Sequence, residues 1–446
     1  MLAEPTVTVL GPDPAHRKCI LNGNAFQQDA ISSLNGWQYA AFYAGLASDK
    51  PEPLYVHVAR RKLPSAEWQI LVLDDYPQTV DDGHNTVQIG VCAGDGTIHL
   101  SYDHHCDILR YRHSVQNLAQ FPERFEWKAG LFTPTLDYLP GLSREHKPFH
   151  YVTYPRFGPM GRDIFCSLRD GKAGLGDDHL YVYQSSLGRF TYLGILLTGV
   201  QSNPYVHGLD YRNGRLHVTW VYRGFVHYEG WDDPADVKHK QQAGPNGAEN
   251  NHNICYAYSD DEGWSWKNSQ GSVIASRHPG STVGNTIRND SPGIVVFEIP
   301  KGHGLTNQES QAVDQHGGVH ILNRDTLEGN LLWKHYYRSP TDGVWTQRAI
   351  RPVTGGKRGR LAVSRDGDLY IILPDASTST MWIMKASRQS GYSSYERVWT
   401  GHGLSGEPLV DTTRLEYDNA LSVFLRKDVK GQPDKKDVVV LDFTLH

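Results

Sequence analysis

The sequence predicts an all-β protein, a seven-bladed β-propeller with four-stranded antiparallel blades, in which residues 1–446 form a single domain. Three observations predict it. A turn rich in Gly, Asp or Asn, followed by an alternating strand, recurs along the chain. The later turns lie roughly fifty residues apart, a spacing that fits propeller blades. No long stretch carries the apolar period of a helix, and Gly and Pro are spread evenly, with no linker between halves.

Taken in order, a first blade falls near Gln38 to Leu73. The turn–strand unit then reads Asp95-Gly96-Thr97-Ile98-His99-Leu100-Ser101-Tyr102. A further blade fits around Val152 to Tyr183, before Asn213-Gly214-Arg215-Leu216-His217-Val218. Another fits around Cys255 to Val273. The unit returns at His316-Gly317-Gly318-Val319, at Asp366-Gly367-Asp368-Leu369 and at Asp418-Asn419-Ala420-Leu421. The tally is seven or eight, and seven is the expectation. The run from Ser259 to Trp266 reads Ser-x-Asp-x-Gly-x-Ser-Trp, the Asp-box hairpin of sialidase-like propellers. In it Asp261 can bind turn amides, Gly263 allows a positive φ, and Trp266 can plug between sheets, a structural role. The charged run Arg426 to Asp437 reads as a solvated hairpin tip.

Composition narrows the function. A net charge of −5 gives no footing for nucleic acid, which needs a basic face. No run of eighteen apolar residues is present, so no membrane-spanning helix is expected. The start, Met1-Leu2-Ala3-Glu4-Pro5, lacks the apolar core of a signal peptide. The chain is therefore expected to be cytosolic, or to be secreted with its leader outside this sequence. Five cysteines are scattered with no Cys-x-x-Cys pair, which argues against a thiolate zinc site and for buried free thiols. The His-rich loops could hold a structural zinc and the acidic loops a calcium, but no spacing is specific, and no metal ligands are assigned.

Two histidine motifs stand out among 22 histidines: Asp81-Asp82-Gly83-His84-Asn85, and Ser101-Tyr102-Asp103-His104-His105 at a strand end. Strand alternation groups His105 with Asp103 and Ser101, and His104 with apolar Ile98, Leu100 and Tyr102, so His105 is expected to face polar space. Further polar groups lie in His150-Tyr151-Val152-Thr153-Tyr154-Pro155, Arg169-Asp170-Gly171, Gly174-Leu175-Gly176-Asp177, Tyr222-Arg223 and Glu249-Asn250-Asn251-His252. Arg169 and Arg223 close strands much as His105 does. Strand ends on one propeller face converge on its funnel, where a guanidinium offers a bidentate fork to a carboxylate.

In these residues the chain resembles the BNR-repeat polysaccharide lyases, a group that includes ulvan lyases and L-rhamnose-α-1,4-D-glucuronate lyases. The stretches that carry the resemblance are Asp82 to Asn85, His99 to His105 with Leu109-Arg110-Tyr111, and Val152 to Pro155 with Arg169 to Gly171. The resemblance implies a seven-bladed propeller and β-elimination at a glucuronate joined through O4 to rhamnose. It places paired catalytic histidines on His84 and His105, and the catalytic tyrosine on Tyr151 or Tyr154. It places the carboxylate-binding arginines on Arg169 and Arg223; His150, in the region of that tyrosine, and Asn250, in the polar cluster after Glu249, are further candidate substrate contacts. The doubled His104-His105 leaves His104 as a further contact within one residue's register. The implied partner is an acidic polysaccharide of rhamnose and glucuronate, acted on by a secreted monomer with no required cofactor. Exo-acting removal of terminal rhamnose, as from gum arabic, is preferred over endo-acting ulvan cleavage.

The chemistry fits these residue types. Elimination removes the weakly acidic C5 proton of a uronate, and Arg or Asn contacts to the carboxylate stabilise the enolate-like transition state. Histidine can act as acid or base near neutral pH, and a tyrosine can serve where cations lower its pKa. Two alternatives remain open. A sialidase-like hydrolase would need carboxylates such as Asp177 and Glu249 in the funnel. A non-catalytic sugar-binding propeller would rely on aromatic platforms.

Overall fold

The computed structural model describes residues 1–27, 29–47, 50–172, 176–229 and 245–445. Gly174 and Leu175, within one of the polar motifs, lie outside the described residues. Seven antiparallel sheets follow one another along the chain. Blade one comprises Ile31–Leu34, Trp37–Ala44, Leu54–Lys62 and Gln69–Gln78. Blade two comprises Val87–Val91, Ile98–Tyr102 and Tyr111–His113. Blade three runs Val152–Met160, Asp163–Asp170, Asp177–Gln184 and Arg189–Leu197. Blade four starts with Ser202–Arg212 and Arg215–Gly224 and continues with Asn251–Ser259, Ser265–Lys267 and Val273–Ser276. Blades five and six span 310–352 and 360–402, each with four strands. Blade seven joins Leu404–Val410, Ala420–Val429 and Gln432–Thr444 to the N-terminal strand Thr6–Pro12, which pairs antiparallel with the last of them. The ring is thereby closed. Among the described residues no helix is long and apolar enough to cross a membrane.

The first strands of successive blades lie side by side around the axis. Each second strand reads as a buried run rather than an alternating one, because both faces are covered by neighbouring blades. In blade six all of Leu369–Asp375 is buried. The core therefore lies between blades. Tyr39 and Leu71 of blade one meet Ile89, Leu100 and Tyr102 of blade two, while Phe165 and Leu180 of blade three meet Trp220 and Trp266 of blade four.

The turn–strand units fall on the second strands of blades two, four, five, six and seven, as the sequence implied. One expectation is corrected: Cys255 to Val273 is not a blade of its own but the outer half of blade four. A long insertion after Gly224 separates the two halves in sequence, which made them read as two units. The Asp-box closes this hairpin. Asp261 Oδ1 accepts from the Ser265 backbone at 2.8 Å and from Ser259 Oγ at 2.8 Å, while its Oδ2 accepts from Ser265 Oγ at 2.6 Å. Gly263 has φ of 94°, and Trp266 is 1% exposed. The five cysteines are all free, and only Cys19 is not fully buried.

Candidate active site

First-strand beginnings and second-strand ends of several blades converge at one mouth of the axis, and the polar cluster forms there. The loop before blade two is pinned from below. Asp81 accepts from the backbone of Lys18 and of Cys19, each at 2.9 Å, and Asn24 donates to the Gly83 carbonyl at 2.9 Å. This leaves Asp82 and His84 at the loop tip. Asp103, in a left-handed conformation at φ of 65°, ends the strand Ile98–Tyr102. It takes hydrogen bonds from Tyr76, Gln78 and Asn85. The chain then crosses to blade three, where the short strand His105–Asp107 pairs with the first strand, His105 opposite Thr153.

The expected alternation through His104 and His105 is thus broken at Asp103, because the two residues beyond it leave blade two. The outcome for the pair still separates them. His104 is 1% exposed, and its Nε2 accepts from the Arg110 backbone at 2.8 Å. His105 turns to the loop tip. Its Nδ1 lies 2.6 Å from Asp82 Oδ2, and the Nδ1 of His84 lies 2.6 Å from Asp82 Oδ1. The two imidazoles stack with centroids 3.8 Å apart and planes 20° from parallel. Phe26 covers the other face of His84 at 4.7 Å.

Tyr154 enters from blade three. The register between the first two strands of that blade shifts between Thr153 and Arg156, and Tyr154 sits in this bulge at φ of 55°. Bulges re-aim side chains, and an aromatic residue at positive φ is uncommon enough to mark a built feature. Here the ring lies 5.7 Å from that of His84 and 6.2 Å from that of Tyr205. The Arg169 guanidinium stacks 4.7 Å over Tyr154, and that of Arg223 stacks 4.5 Å over Tyr205. Arg223 donates from Nε to Asn251 Oδ1 at 2.8 Å and from Nη2 to Asn307 Oδ1 at 2.9 Å. Asn203, with its amide turned to suit both neighbours, accepts from Arg169 Nη1 at 3.1 Å. Arg358 lies over Phe26 at 4.7 Å and donates to Asn307 and to Glu407.

Electrostatics differ sharply between similar groups. Burial raises the Tyr205 hydroxyl, but the guanidiniums of Arg223 and Arg169 outweigh it and bring its pKa below the ordinary phenol value. Tyr154 is pushed above that value by burial and by Tyr205 beside it. Burial, with the neighbouring His84, lowers His105 to about 4, so its imidazole is neutral at neutral pH. Burial pulls the Asp82 carboxyl up, but hydrogen bonds from His105 and His84 hold it well below the usual carboxylate range.

The structure thus brings together His84, His105, Tyr154, Arg169 and Arg223. The other sequence candidates lie apart from this cluster or at its margin. Tyr151 borders the cluster, half-buried beyond the end of the short helix Lys147–His150, with its pKa raised by burial and by Cys106 while the charge of Arg169 acts to lower it. His150 is exposed. Asn250 donates to the Pro245 carbonyl and to Glu249, whereas its neighbour Asn251 is the residue that holds Arg223. Of the carboxylates a hydrolase would need, Asp177 accepts from the Gly199 backbone at 2.8 Å, and Glu249 is exposed. Sequence reasoning gave no role to Asp82, Phe26, Asn203, Tyr205, Asn251, Asn307 or Arg358. Tyr205 had a signal: it opens blade four in Asn203-Pro204-Tyr205 much as Tyr154 opens blade three beside Pro155. Among the described residues, one group of three His, Cys, Asp or Glu side chains brings its ligand atoms within 4.8 Å: Asp82, His84 and His105. Both of its contacts at 2.6 Å are hydrogen bonds made through Nδ1.

Comparison with known proteins adds to this geometry. The profile of a family described as "BNR repeat-containing family member" matches residues 37–352. The long isoform of an ulvan lyase from Pseudoalteromonas sp. (strain PLSV) is 24% identical over 289 residues, 54% of this chain. The chain spans only about a quarter of that relative's length, 26%. The crystal structure of polysaccharide lyase Uly1 superposes with a TM-score of 0.74 over 100% of both chains at 17% identity. A PL25 ulvan lyase bound to -[GlcA(1-4)Rha3S]- superposes with a TM-score of 0.62, covering 94% of this chain and 93% of its own, at 13% identity. At these identities the superpositions bear on the fold.

Proposed function

Because this chain belongs to the BNR repeat-containing family, we propose that its funnel is the active site of a polysaccharide lyase that cleaves a rhamnose-α-1,4-glucuronate bond by β-elimination. The observation that carries this reading is the pairing of Arg169 and Arg223 around Tyr205, at 5.7 and 4.5 Å from its ring, with the stacked His84 and His105 across Tyr154. Two guanidiniums on one side suit a uronate carboxylate, and their charge lowers the cost of the enediolate that forms as C5 loses its proton. The neutral imidazole of His105 takes that proton. The electron pair forms the C4–C5 double bond, the C4–O4 bond breaks, and rhamnose leaves with the bridging oxygen. Tyr154, whose raised pKa keeps its hydroxyl protonated, donates to that oxygen. No step calls on a metal.

The relatives' substrates agree in class with this chemistry: one is an ulvan lyase, and another holds a glucuronate–rhamnose unit. We assign exo-acting release of terminal rhamnose ahead of endo-acting cleavage. The enzyme would then act outside the cell, where such polysaccharides lie, and as a monomer, since one chain supplies every residue of the cluster. Parallel incubation with gum arabic and with ulvan tests it, following ultraviolet absorbance of the unsaturated uronate and free rhamnose. Absorbance rising with free rhamnose from gum arabic supports the exo reading. Unsaturated oligosaccharides from ulvan without free rhamnose would transfer the assignment to endo cleavage. No absorbance change from either polymer would refute the lyase.

A further inference from the structure

We propose that Asp82 is a positioning residue that fixes His84 and His105 in the same tautomer, with Nδ1 protonated and Nε2 carrying the lone pair. The argument is geometric. One carboxylate bridges two stacked imidazoles, taking one Nδ1 on each oxygen at 2.6 Å. Asp82 is held ionised, so it has no proton to give and can only accept. Each Nδ1 must therefore donate, and in a neutral imidazole the remaining lone pair then lies on Nε2, on the flank of the ring turned away from Asp82. The loop does not leave this to chance. The His84 backbone also donates to Asp82 Oδ1 at 2.9 Å, and the preceding Asp81 accepts from the Lys18 and Cys19 backbones, so the turn that carries the carboxylate is itself anchored. The stack at 3.8 Å, with Phe26 on its outer face, removes the rotational freedom that the hydrogen bonds leave. Two basic nitrogens are thus presented together. On the proposed lyase reading, this gives His105 the lone pair it needs at the substrate side, with His84 as a second site of the same polarity.

The test uses the intact protein labelled with ¹⁵N at histidine, in long-range ¹H–¹⁵N correlation spectra at pH 8. Signals of the two residues are those missing from His84→Phe and His105→Phe. In the wild type both should show a protonated Nδ1 and a pyridine-like Nε2. Asp82→Asn offers one acceptor oxygen and one donor NH2, so one imidazole should keep its tautomer and the other should turn to Nε2–H. On a substrate that is turned over, kcat of this variant should fall by roughly two to four orders of magnitude, the scale of losing tautomer control, with KM changed less than about threefold. A neutral Nε2–H on either ring of the wild type would overturn the assignment. So would an Asp82→Asn protein with both tautomers unchanged or with wild-type kcat. If neither polymer is turned over, the proposed function falls, while the spectra still decide the role of Asp82.

Discussion

At the scale of single residues, adjacent identical side chains have been given different work. His105 meets Asp82 and His84 at the funnel, while His104 is buried and accepts from the Arg110 backbone. If His105 moves a proton, His105→Phe should lose roughly two to four orders of magnitude in kcat/KM. Its melting temperature should stay near that of the wild type. His104→Phe should do the reverse, because a buried amide is left without its acceptor, at a cost of about 1–3 kcal/mol. Steady-state rates and thermal melts on the two variants separate the cases; equal loss of activity in both would refute the division. Arg169 gives a second prediction. It stacks on Tyr154 and binds Asn203, contacts that use the planar fork. Lysine keeps the charge and loses the fork, so Arg169→Lys should lower kcat/KM by about tenfold or more. Near wild-type kinetics would remove Arg169 from the site. The sequence made His84, His105, Arg169 and Arg223 legible because each stands in a local motif or closes a strand. Asn251 was missed by one position, since its neighbour Asn250 has the same composition and only the bond to Arg223 tells them apart. For Tyr205 only the position was marked, by the Pro204 beside it; its lowered pKa comes from Arg169 and Arg223, two arginines distant in sequence, and no local pattern encodes that.

At the scale of elements, the hairpin turns were legible and the crossovers were not. Turn chemistry is local, so Asn213-Gly214, Gly317-Gly318 and Asp366-Gly367 announce their strands. The transfer of His105 from blade two to blade three depends on Asp103 being held by Tyr76, Gln78 and Asn85, two of them on the last strand of blade one and the third in the loop before blade two. The bulge that aims Tyr154 is equally a property of pairing, visible only in the register against Asp163–Asp170. The Asp-box is the element most fully readable in advance, and it carries a test. Asp261→Ala removes its bonds to Ser259, to the Ser265 backbone and to the Ser265 hydroxyl. Since its side chain is about a third exposed at 33%, part of that is returned by water. A loss of about 2 kcal/mol is expected. The sign of the pH dependence follows. Burial raises the Asp261 carboxyl, but bonds from Ser265 and His278 bring it to about 2, below its unfolded value. The stabilisation is present above the unfolded pKa and is lost as pH falls through about 2. Melts of wild type and Asp261→Ala should therefore converge as pH drops from 5 toward 2. A constant gap would show that the carboxylate charge is not what stabilises the turn.

For the molecule as a whole, the ring is held shut by its first strand. Thr6–Pro12 supplies the outer edge of blade seven, with Thr6 opposite Asp442 and Val9 opposite Val439. Nothing local marks this closure: an alternating stretch of Thr and Val fits many edges, and its partner lies at the far end of the chain. The same strand reaches blade one, where Thr8 Oγ1 takes hydrogen bonds from Trp68 at 3.1 Å and Arg61 at 3.3 Å, and Leu10 is 2% exposed. Arg61 in turn pairs with Asp442 at 2.6 Å, so the last blade and the first share one polar seam. Deleting residues 2–12 removes a ladder of backbone bonds at about 1 kcal/mol each and the burial of Leu10 at about 2 kcal/mol. The sum is comparable with the whole stability of a typical protein, about 5–15 kcal/mol. It also bares Gln432–Thr444 as an unpaired edge carrying buried Val438 and Val440, which invites association. The truncated chain should aggregate or melt far below the full protein. Hydrogen exchange should open first at Val438–Asp442 and at the strand Leu54–Lys62 that carries Arg61. A synthetic peptide of residues 1–12 added in excess should raise the melting temperature again, because it binds only the closed ring. An unchanged melt after deletion, or a peptide without effect on a soluble truncated chain, would show that the seven blades close without this strand.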